Sequence, residues 1–183
     1  SDNKPLVLFV MGSLGASGFN DFLIKTMSLF NNKPYEVLYV TGNNDYERIS
    51  QINFPRNVKV VPYIDKMTRI MKKTDIMVTR AGASTMSEIT ALGVPAIFIP
   101  SPYVANNHQY KNAKDLVDQN AGIMLEEKDM TDRSLIELID KTLNDKDKIK
   151  DIKDNLKKIG IKDSSTRIYN ILKDLIINDR KFY

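Results

Sequence analysis

The stretch Thr79-Arg-Ala-Gly-Ala-Ser-Thr-Met-Ser-Glu88 decides the fold of this chain. It follows a strand pattern over residues 75–78 and leads into a helical pattern that ends at Gly93. A buried strand that stops at Gly82, followed by a helix beginning near Ser84, presents unpaired backbone N–H groups and the positive end of a helix dipole. This order of elements predicts an anion-binding site just beyond the strand.

Glu88 lies one turn inside the predicted helix. Its carboxylate would repel a bare phosphate, so we expect it to accept hydrogen bonds from paired hydroxyls such as those of a ribose. The alternative is a capping box, in which Ser84 or Thr85 caps the helix together with Glu88 and no ligand is involved. From this stretch alone both interpretations stay open.

The composition indicates one soluble globular domain. Its 183 residues are 42% hydrophobic, enough for a full core, and no apolar run is long enough to span a bilayer. The net charge of +4 does not predict nucleic-acid binding, because the lysines alternate with aspartates and lack interleaved aromatic residues. A solvated helical face explains them, with weak attraction to an anionic membrane as the alternative.

The absence of cysteine excludes disulfides and thiolate metal sites and is typical of a reducing compartment. Because the chain starts at Ser1 rather than at a methionine, we expect it to be a piece of a longer protein.

Strand and helix patterns alternate along the chain. Strands are predicted at residues 6–11, 35–40, 58–61, 75–78, 95–99 and 123–125. Helices are predicted at 19–30, 45–52, 64–72, 84–93, 106–122 and 131–143, with two Lys- and Asp-rich helices over 145–177. Such alternation predicts a Rossmann-like α/β fold, a parallel sheet with right-handed crossovers and helices on both faces.

Doubly wound sheets bind ligands at the carboxyl ends of their strands. Residues 12–16, 63–64, 79–88 and 101–109 each follow a predicted strand, so we expect these segments to share one rim. Gly12-Ser-Leu-Gly15 looks like a phosphate-binding turn but lacks a third glycine and a P-loop lysine, so a plain tight turn explains it equally well.

Two further motifs are weaker. His108 is the only histidine, which argues against a metal site and favours contact with a polar ligand or a simple surface position. Asp145-Lys-Asp147 has the letters of a D-x-D metal motif, but it falls in a lysine-alternating helical stretch far from the expected rim. We therefore expect no bound metal and no cofactor.

Two long segments carry a family resemblance: T-R-A-G-A-S-T-M-S-E-I-T-A-L-G-V-P at 79–95 and I-P-S-P-Y-V-A-N-N-H-Q-Y-K-N-A at 99–113. Together they resemble the donor-binding half of the MurG family, bacterial transferases that add N-acetylglucosamine to the undecaprenyl-pyrophosphoryl muramyl-pentapeptide carrier. M-G-S-L-G-A at 11–16 is similar to that family's G-G-S-Q-G-A turn, with Met11 and Leu14 as departures. Tyr63-Ile-Asp65 is similar to its F-I-D segment.

The resemblance implies the C-terminal half of a two-domain glycosyltransferase of the B architecture. Residues 1–183 would then form a single UDP-N-acetylglucosamine-binding domain, and the N-terminal acceptor domain would be absent from this chain. Ser13 would contact the diphosphate, the backbone of Ile64 the uracil, Glu88 the ribose and Gln109 the N-acetylglucosamine. The implied binding set is Ser13, Tyr63, Ile64, Ala83, Ser84, Thr85, Met86, Ser87, Glu88, His108 and Gln109.

The implied reaction is an inverting displacement in peptidoglycan synthesis, at the cytoplasmic face of the bacterial membrane, with the general base on the missing domain. The lipid-linked muramyl-pentapeptide would be the acceptor. Alternatives are a UDP-sugar transferase acting on diacylglycerol, a UDP-N-acetylglucosamine epimerase, or a UDP-sugar-binding subunit of a split transferase.

Overall fold

The computed structural model describes residues 4–11, 17–160 and 164–179. Its centre is a six-stranded sheet in the order β3-β2-β1-β4-β5-β6, in which every pair of neighbours runs parallel. The strands are β1 (Leu6–Val10), β2 (Glu36–Val40), β3 (Val58–Val61), β4 (Ile76–Thr79), β5 (Ala96–Phe98) and β6 (Ile123–Met124). The predicted fold class is confirmed, and the predicted strands agree with these bounds to within one residue at each end.

Helices connect the strands and follow the last one. They are α1 (Ser17–Thr26), α2 (Asn43–Ser50), α3 (Met67–Met71), α4 (Ala83–Leu92), α5 (His108–Asp118), α6 (Ser134–Asn144), α7 (Lys146–Ile159) and α8 (Ser164–Asp179). Short 3-10 helices occupy Met27–Phe30, Ala105–Asn107 and Glu127–Asp129. In the part of the chain that the structure describes, no helix combines the length and apolarity needed to cross a membrane.

The sequence of β1 explains why helices cover both faces of the sheet. Val7 and Phe9 belong to one buried cluster and Leu8, between them, to the other, because successive side chains of a strand point to opposite faces. Each of these side chains is 0% exposed. Fully burying a side chain of this size contributes about 1.5–3 kcal/mol, so both faces of the central strand stabilise the fold.

The two clusters recruit different helices. The first is completed by Phe19 and Leu23 of α1 with Leu135 and Ile139 of α6. The second is completed by Ile89 of α4, Leu116 of α5, and Ile152 and Leu156 of α7. The helices that follow β4 and β5 therefore lie on the same face, which brings α4 and α5 together.

Several predicted helices have different bounds in the structure; the one predicted at 106–122, for example, is α5 (His108–Asp118). Two of the differences have a visible cause. The helix predicted at 19–30 ends at Thr26 and continues as the 3-10 helix Met27–Phe30, where the Thr26 hydroxyl donates to the carbonyl of Phe22 at 3.1 Å. Such back-bonding competes with regular helix geometry. The helix predicted from Ile64 begins only at Met67. Ile64 packs against the second cluster from the preceding loop, so its apolar character did not require a helix.

Candidate functional site

Three of the four segments predicted to share a rim lie at one end of the sheet. Tyr63 and Ile64 follow β3, residues 80–88 follow β4, and residues 101–109 follow β5. Since all strands are parallel, their carboxyl ends lie on the same edge, and the expected rim is confirmed for these segments. The fourth segment, residues 12–16 with Ser13, lies outside the described residues.

The start of α4 differs from the sequence expectation. Gly82 is the N-cap, with φ −72° and ψ 146°, and no side chain caps the helix. Met86 N–H donates to the Gly82 carbonyl at 2.9 Å, so Ser84 and Thr85 already lie inside the first turn. The prediction that either residue caps the helix is therefore wrong. The N–H groups of Ala83, Ser84 and Thr85 have no partner within the helix and point outward from its N-terminal end, toward the space in front of the helix.

Glu88 does not take part in a capping box. In the described ranges it makes neither an ion pair nor a side-chain hydrogen bond, and it is exposed. It lies four residues after Ser84 and so on the same face of α4, about 6 Å further along the axis. A ligand whose negative groups meet the helix start would thus have Glu88 one turn away, ready to accept hydroxyl hydrogens.

Met86 and Ser87, both in the predicted binding set, contact their own domain. Met86 is half-buried and packs against the second cluster, as does Ile64, and α3 packs against α4. The Ser87 hydroxyl donates to the Ala83 carbonyl at 3.0 Å. Tyr63, by contrast, is 66% exposed, so its ring is available for stacking on a ligand.

The loop after β5 ends in a tight turn that starts α5. Asn106 and Asn107 have φ values of 55° and 50°, a left-handed conformation that asparagine tolerates better than most residues. His108 is exposed, and its Nδ1 lies 3.0 Å from the Ala105 carbonyl. Gln109 Oε1 accepts the N–H of Ser101 at 2.9 Å. The acceptor of Gln109 is therefore used to hold the loop, and its amide N–H groups remain for a ligand.

Two side chains hold this loop against the start of α4. Asn112 of α5 donates its amide to the Ala81 carbonyl at 3.0 Å, and Arg80 donates to the Ile99 carbonyl at 3.0 Å. The Gln109 end and the α4 end of the rim are thus joined by direct hydrogen bonds. A ligand that reaches both ends therefore meets two sets of binding groups at a fixed distance from each other.

Comparison with known proteins identifies the domain. A family model described as the glycosyltransferase family 28 C-terminal domain matches residues 6–168. The chain belongs to this family. A transferase of Bacillus cytotoxicus, named UDP-N-acetylglucosamine–N-acetylmuramyl-(pentapeptide) pyrophosphoryl-undecaprenol N-acetylglucosamine transferase, is 42% identical over 178 residues, which is 95% of this chain and 49% of that protein. The protein of the same name from Bacillus licheniformis is 38% identical over 179 residues, 96% of this chain and 49% of its own length.

Solved structures agree with this assignment. The crystal structure of MurG from Acinetobacter baumannii superposes with a TM-score of 0.82 at 26% identity, over 95% of this chain and 51% of that one. The glycosyltransferase VinC in complex with dTDP has a TM-score of 0.68 at 14% identity, over 93% of this chain and 42% of that one, which shows a shared fold alone. The family 28 domain described here spans about half the length of the curated relatives it matches.

A buried polar chain joins β2, α1 and α2 of the family 28 domain. The Tyr39 hydroxyl on β2 donates to Asn20 Oδ1 on α1, and Asn20 Nδ2 donates to Asp45 Oδ2 at the start of α2, at 2.7 Å. Tyr39 is 0% exposed, and this burial, followed by the Asp45 charge, raises the pKa of its hydroxyl well above the ordinary range. The phenol therefore stays protonated and continues to donate.

Other surface features of the family 28 domain do not compete with the rim. A groove of about 930 Å³ lies at the opposite end of the sheet, lined by residues such as Lys4, Asn31, Phe54 and Asn57. None of the helices α1 to α8 begins among its lining residues, so it lacks the cluster of backbone N–H groups found at the start of α4. Across residues 4–11, 17–160 and 164–179, no three His, Asp or Glu side chains gather in a way that could hold a metal ion.

Sequence reasoning missed Arg80 of the family 28 domain. Its side chain is 11% exposed, and Nη1 lies 2.5 Å from Glu127 Oε1 while Cζ lies 5.7 Å from the centre of the Phe19 ring. A signal was present in the sequence, because an arginine directly after a fully buried strand needs a partner. Nothing in the sequence pattern pointed to Glu127, which is 47 positions later in a 3-10 helix that was not predicted.

Proposed function

We propose that this chain is the UDP-N-acetylglucosamine-binding half of an inverting transferase that adds N-acetylglucosamine to the lipid-linked muramyl-pentapeptide of peptidoglycan synthesis. One observation carries the proposal: the open N-terminus of α4, with Glu88 on the same face one turn later. It fits a ligand that joins a diphosphate to a ribose. The names of the Bacillus relatives support the sugar and the acceptor.

In this proposal the reaction depends on binding the leaving group. As the acceptor hydroxyl attacks the anomeric carbon, the bond to the diphosphate breaks and UDP gains negative charge. The N–H groups of Ala83, Ser84 and Thr85, together with the helix dipole, stabilise that charge without needing to reorganise. By the family resemblance Ser13, which lies outside the described residues, would contact the same diphosphate, and the acceptor proton would leave to a base on the other half of the protein.

The nucleoside and the sugar occupy opposite ends of the rim. The uracil meets the backbone of Ile64 and the exposed ring of Tyr63, and the ribose hydroxyls donate to Glu88. At the other end the amide of Gln109 donates to the N-acetylglucosamine, with His108 beside it. Because Gln109 Oε1 already accepts from Ser101, whereas no partner takes its amide hydrogens among the described residues, we expect Gln109 to contact the sugar mainly as a donor.

The exposed apolar face of α8 is the proposed contact surface for a partner domain. Ile168, Leu172 and Ile176 follow each other at helical spacing and are 58%, 53% and 58% exposed, with Ile171 and Leu175 nearby at 59% and 61%. An exposed apolar face of this size marks an interaction surface. The N-terminal acceptor domain is its proposed occupant, since the chain spans only about half of its relatives. The complete enzyme would work at the cytoplasmic face of the membrane, where the lipid-linked acceptor is found.

Calorimetric titration of the chain tests the proposal. We expect UDP and UDP-N-acetylglucosamine to bind, UDP-glucose to bind more weakly, and EDTA to change none of these affinities, because helix N–H groups rather than a bound cation hold the phosphates. Loss of binding in EDTA, or a preference for UDP-glucose, would contradict the proposal. With the acceptor domain supplied in trans, transfer to diacylglycerol would instead favour the runner-up function.

Gln109 allows a sharper test of the sugar end. Gln109→Glu keeps an acceptor for the Ser101 N–H but removes the amide donors, whereas Gln109→Ala removes both. We expect either change to weaken UDP-N-acetylglucosamine by about 2- to 13-fold, the value of one neutral hydrogen bond, and to leave UDP nearly unchanged. Both should also reduce the preference over UDP-N-acetylgalactosamine. Normal discrimination with weakened UDP binding would move Gln109 to the nucleotide end.

A further inference from the structure

Arg80 and Glu127 form an ion pair at the rim that the proposed function leaves unused. Nη1 of Arg80 lies 2.5 Å from Glu127 Oε1 and 3.0 Å from the Ile99 carbonyl oxygen. The two side chains are 11% and 28% exposed. This guanidinium therefore touches the end of β5 and the 3-10 helix Glu127–Asp129, while its own backbone begins the turn into α4.

The neighbouring pair shows that this arrangement is special. Glu126 also forms an ion pair, with Lys128 at 3.1 Å, but the Lys128 side chain is 70% exposed. The Glu126 side chain is 30% exposed, much like Glu127, so the two pairs differ in their cations. A pair with so exposed a lysine contributes little, since water solvates the ammonium group when the contact breaks. A charge that is mostly buried, like that of Arg80, must keep its partner or move to find another. Two adjacent glutamates thus have very different consequences for the rim.

The contacts of Arg80 lead to the sugar end of the proposed site. Ile99, whose carbonyl Arg80 holds, stands two residues before Ser101, and the Ser101 N–H is accepted by Gln109. A continuous series of contacts therefore runs from Glu127 through Arg80 to Gln109. The start of α4 has a second support, because Asn112 of α5 donates to the Ala81 carbonyl whether or not Glu127 holds Arg80.

We propose that Glu127 is a positioning residue for sugar selectivity. By holding Arg80 on the Ile99 carbonyl, it fixes the loop residues 99–101 after β5, and the Ser101 N–H in turn orients the side-chain amide of Gln109 at the start of α5. This inference rests on the proposed function of the same site. Binding groups must be held within about 0.5 Å of their productive positions, so a small shift of this loop impairs the sugar contact while the diphosphate contacts persist.

Glu127→Gln, with Glu126→Gln as its matched control, tests this in the full chain. Affinities for UDP, UDP-N-acetylglucosamine and UDP-N-acetylgalactosamine are measured by calorimetry, and folding is checked by thermal unfolding. We expect Glu127→Gln to reduce the preference for UDP-N-acetylglucosamine by roughly 2- to 30-fold, the usual range of coupling through packed side chains, with unchanged UDP affinity. Glu126→Gln should change neither quantity.

A second pair of variants shows whether Glu127 acts through Arg80. Arg80→Lys keeps a charge for Glu127 but loses the planar donor to Ile99, so it should reduce selectivity by itself. Combined with Glu127→Gln it should add little, because both changes break one series of contacts. If Glu127→Gln does not fold, Arg80→Lys and Glu127→Asp carry the test, with Glu127→Asp expected to keep part of the preference.

The outcomes separate the two proposals. Wild-type selectivity in a folded Glu127→Gln, or an equal loss of UDP and UDP-N-acetylglucosamine binding, overturns the positioning role alone. Additive effects of the two substitutions overturn it as well. A wild-type chain that binds neither UDP nor UDP-N-acetylglucosamine overturns the proposed function, and the positioning role with it.

Discussion

Replacing Ala83 by proline removes one of the proposed phosphate donors without disturbing the helix. Ala83 is the first residue of α4 and is exposed, a position where proline is favoured because its missing N–H has no helical partner. The preceding Gly82 has φ −72° and ψ 146°, inside the region that a residue before proline prefers. We therefore expect the free energy of unfolding to stay the same or rise slightly.

The effect on the ligand is expected to be large. A hydrogen bond to a charged group contributes about 1.5–3 kcal/mol, so losing the Ala83 N–H should weaken UDP by about 10- to 150-fold. Uridine, which has no phosphate, should bind as before. Calorimetric titration of both ligands gives this difference directly.

Ala83→Ser is the matched control, because it changes the side chain at this position and keeps the N–H. It should leave UDP binding within about twofold of wild type, since the proposed phosphate contact is made by the backbone N–H, which serine retains. A folded Ala83→Pro chain with wild-type affinity for UDP would refute the reasoning. The phosphates would then lie elsewhere on the rim.

Three further predictions follow from the structure. Glu88→Gln should weaken UDP by about 10-fold or more in calorimetry and leave 2′,3′-dideoxy-UDP unaffected, since the lost charge accepts ribose hydroxyls; equal losses would assign Glu88 to another role. Burial raises the pKa of Tyr39, so above pH 10.0 only the unfolded chain releases this proton and the free energy of unfolding falls. Tyr39→Phe should make that fall smaller when it is measured by urea unfolding at several pH values, and an unchanged dependence on pH would contradict this. Gly160→Ala should lower the free energy of unfolding by about 1–3 kcal/mol, because its Cβ would lie 2.5 Å from the Thr90 carbonyl oxygen. Gly18→Ala has open space around it and should raise that energy by up to about 1 kcal/mol, so equal unfolding energies of the two variants would contradict the prediction.

The two central strands, β1 and β4, could be predicted from the sequence because both of their faces are buried. The continuous apolar runs of β1 and β4 occur only where both faces of a strand are covered, and glycine or proline bounds most of these runs. Once the alternation of strands and helices was recognised, the parallel order of the strands predicted that the rim lies at their carboxyl ends. That inference required no side-chain geometry.

The details of the site depended on geometry that no local pattern contains. Ser84 and Thr85 have the residue types of a cap, yet Gly82 takes that position, since an extended backbone there suffices and no side chain is needed. The resemblance implied a sugar contact for Gln109, but only the structure shows that its oxygen also accepts from Ser101, eight residues earlier. The ion pair between Arg80 and Glu127 joins segments that only the tertiary fold brings together.

The central position of β1 also has a consequence for synthesis in the cell. Leu6 N–H donates to Asp75 Oδ2 across a separation of 69 residues, so one side of β1 stays unpaired until β4 has been made. At roughly 5–20 residues per second this interval lasts about 3–14 s, during which the apolar strand can pair with other nascent chains or be held by a chaperone. Slower translation of residues 11–75 should therefore lower the yield of folded protein without altering any contact of the native state.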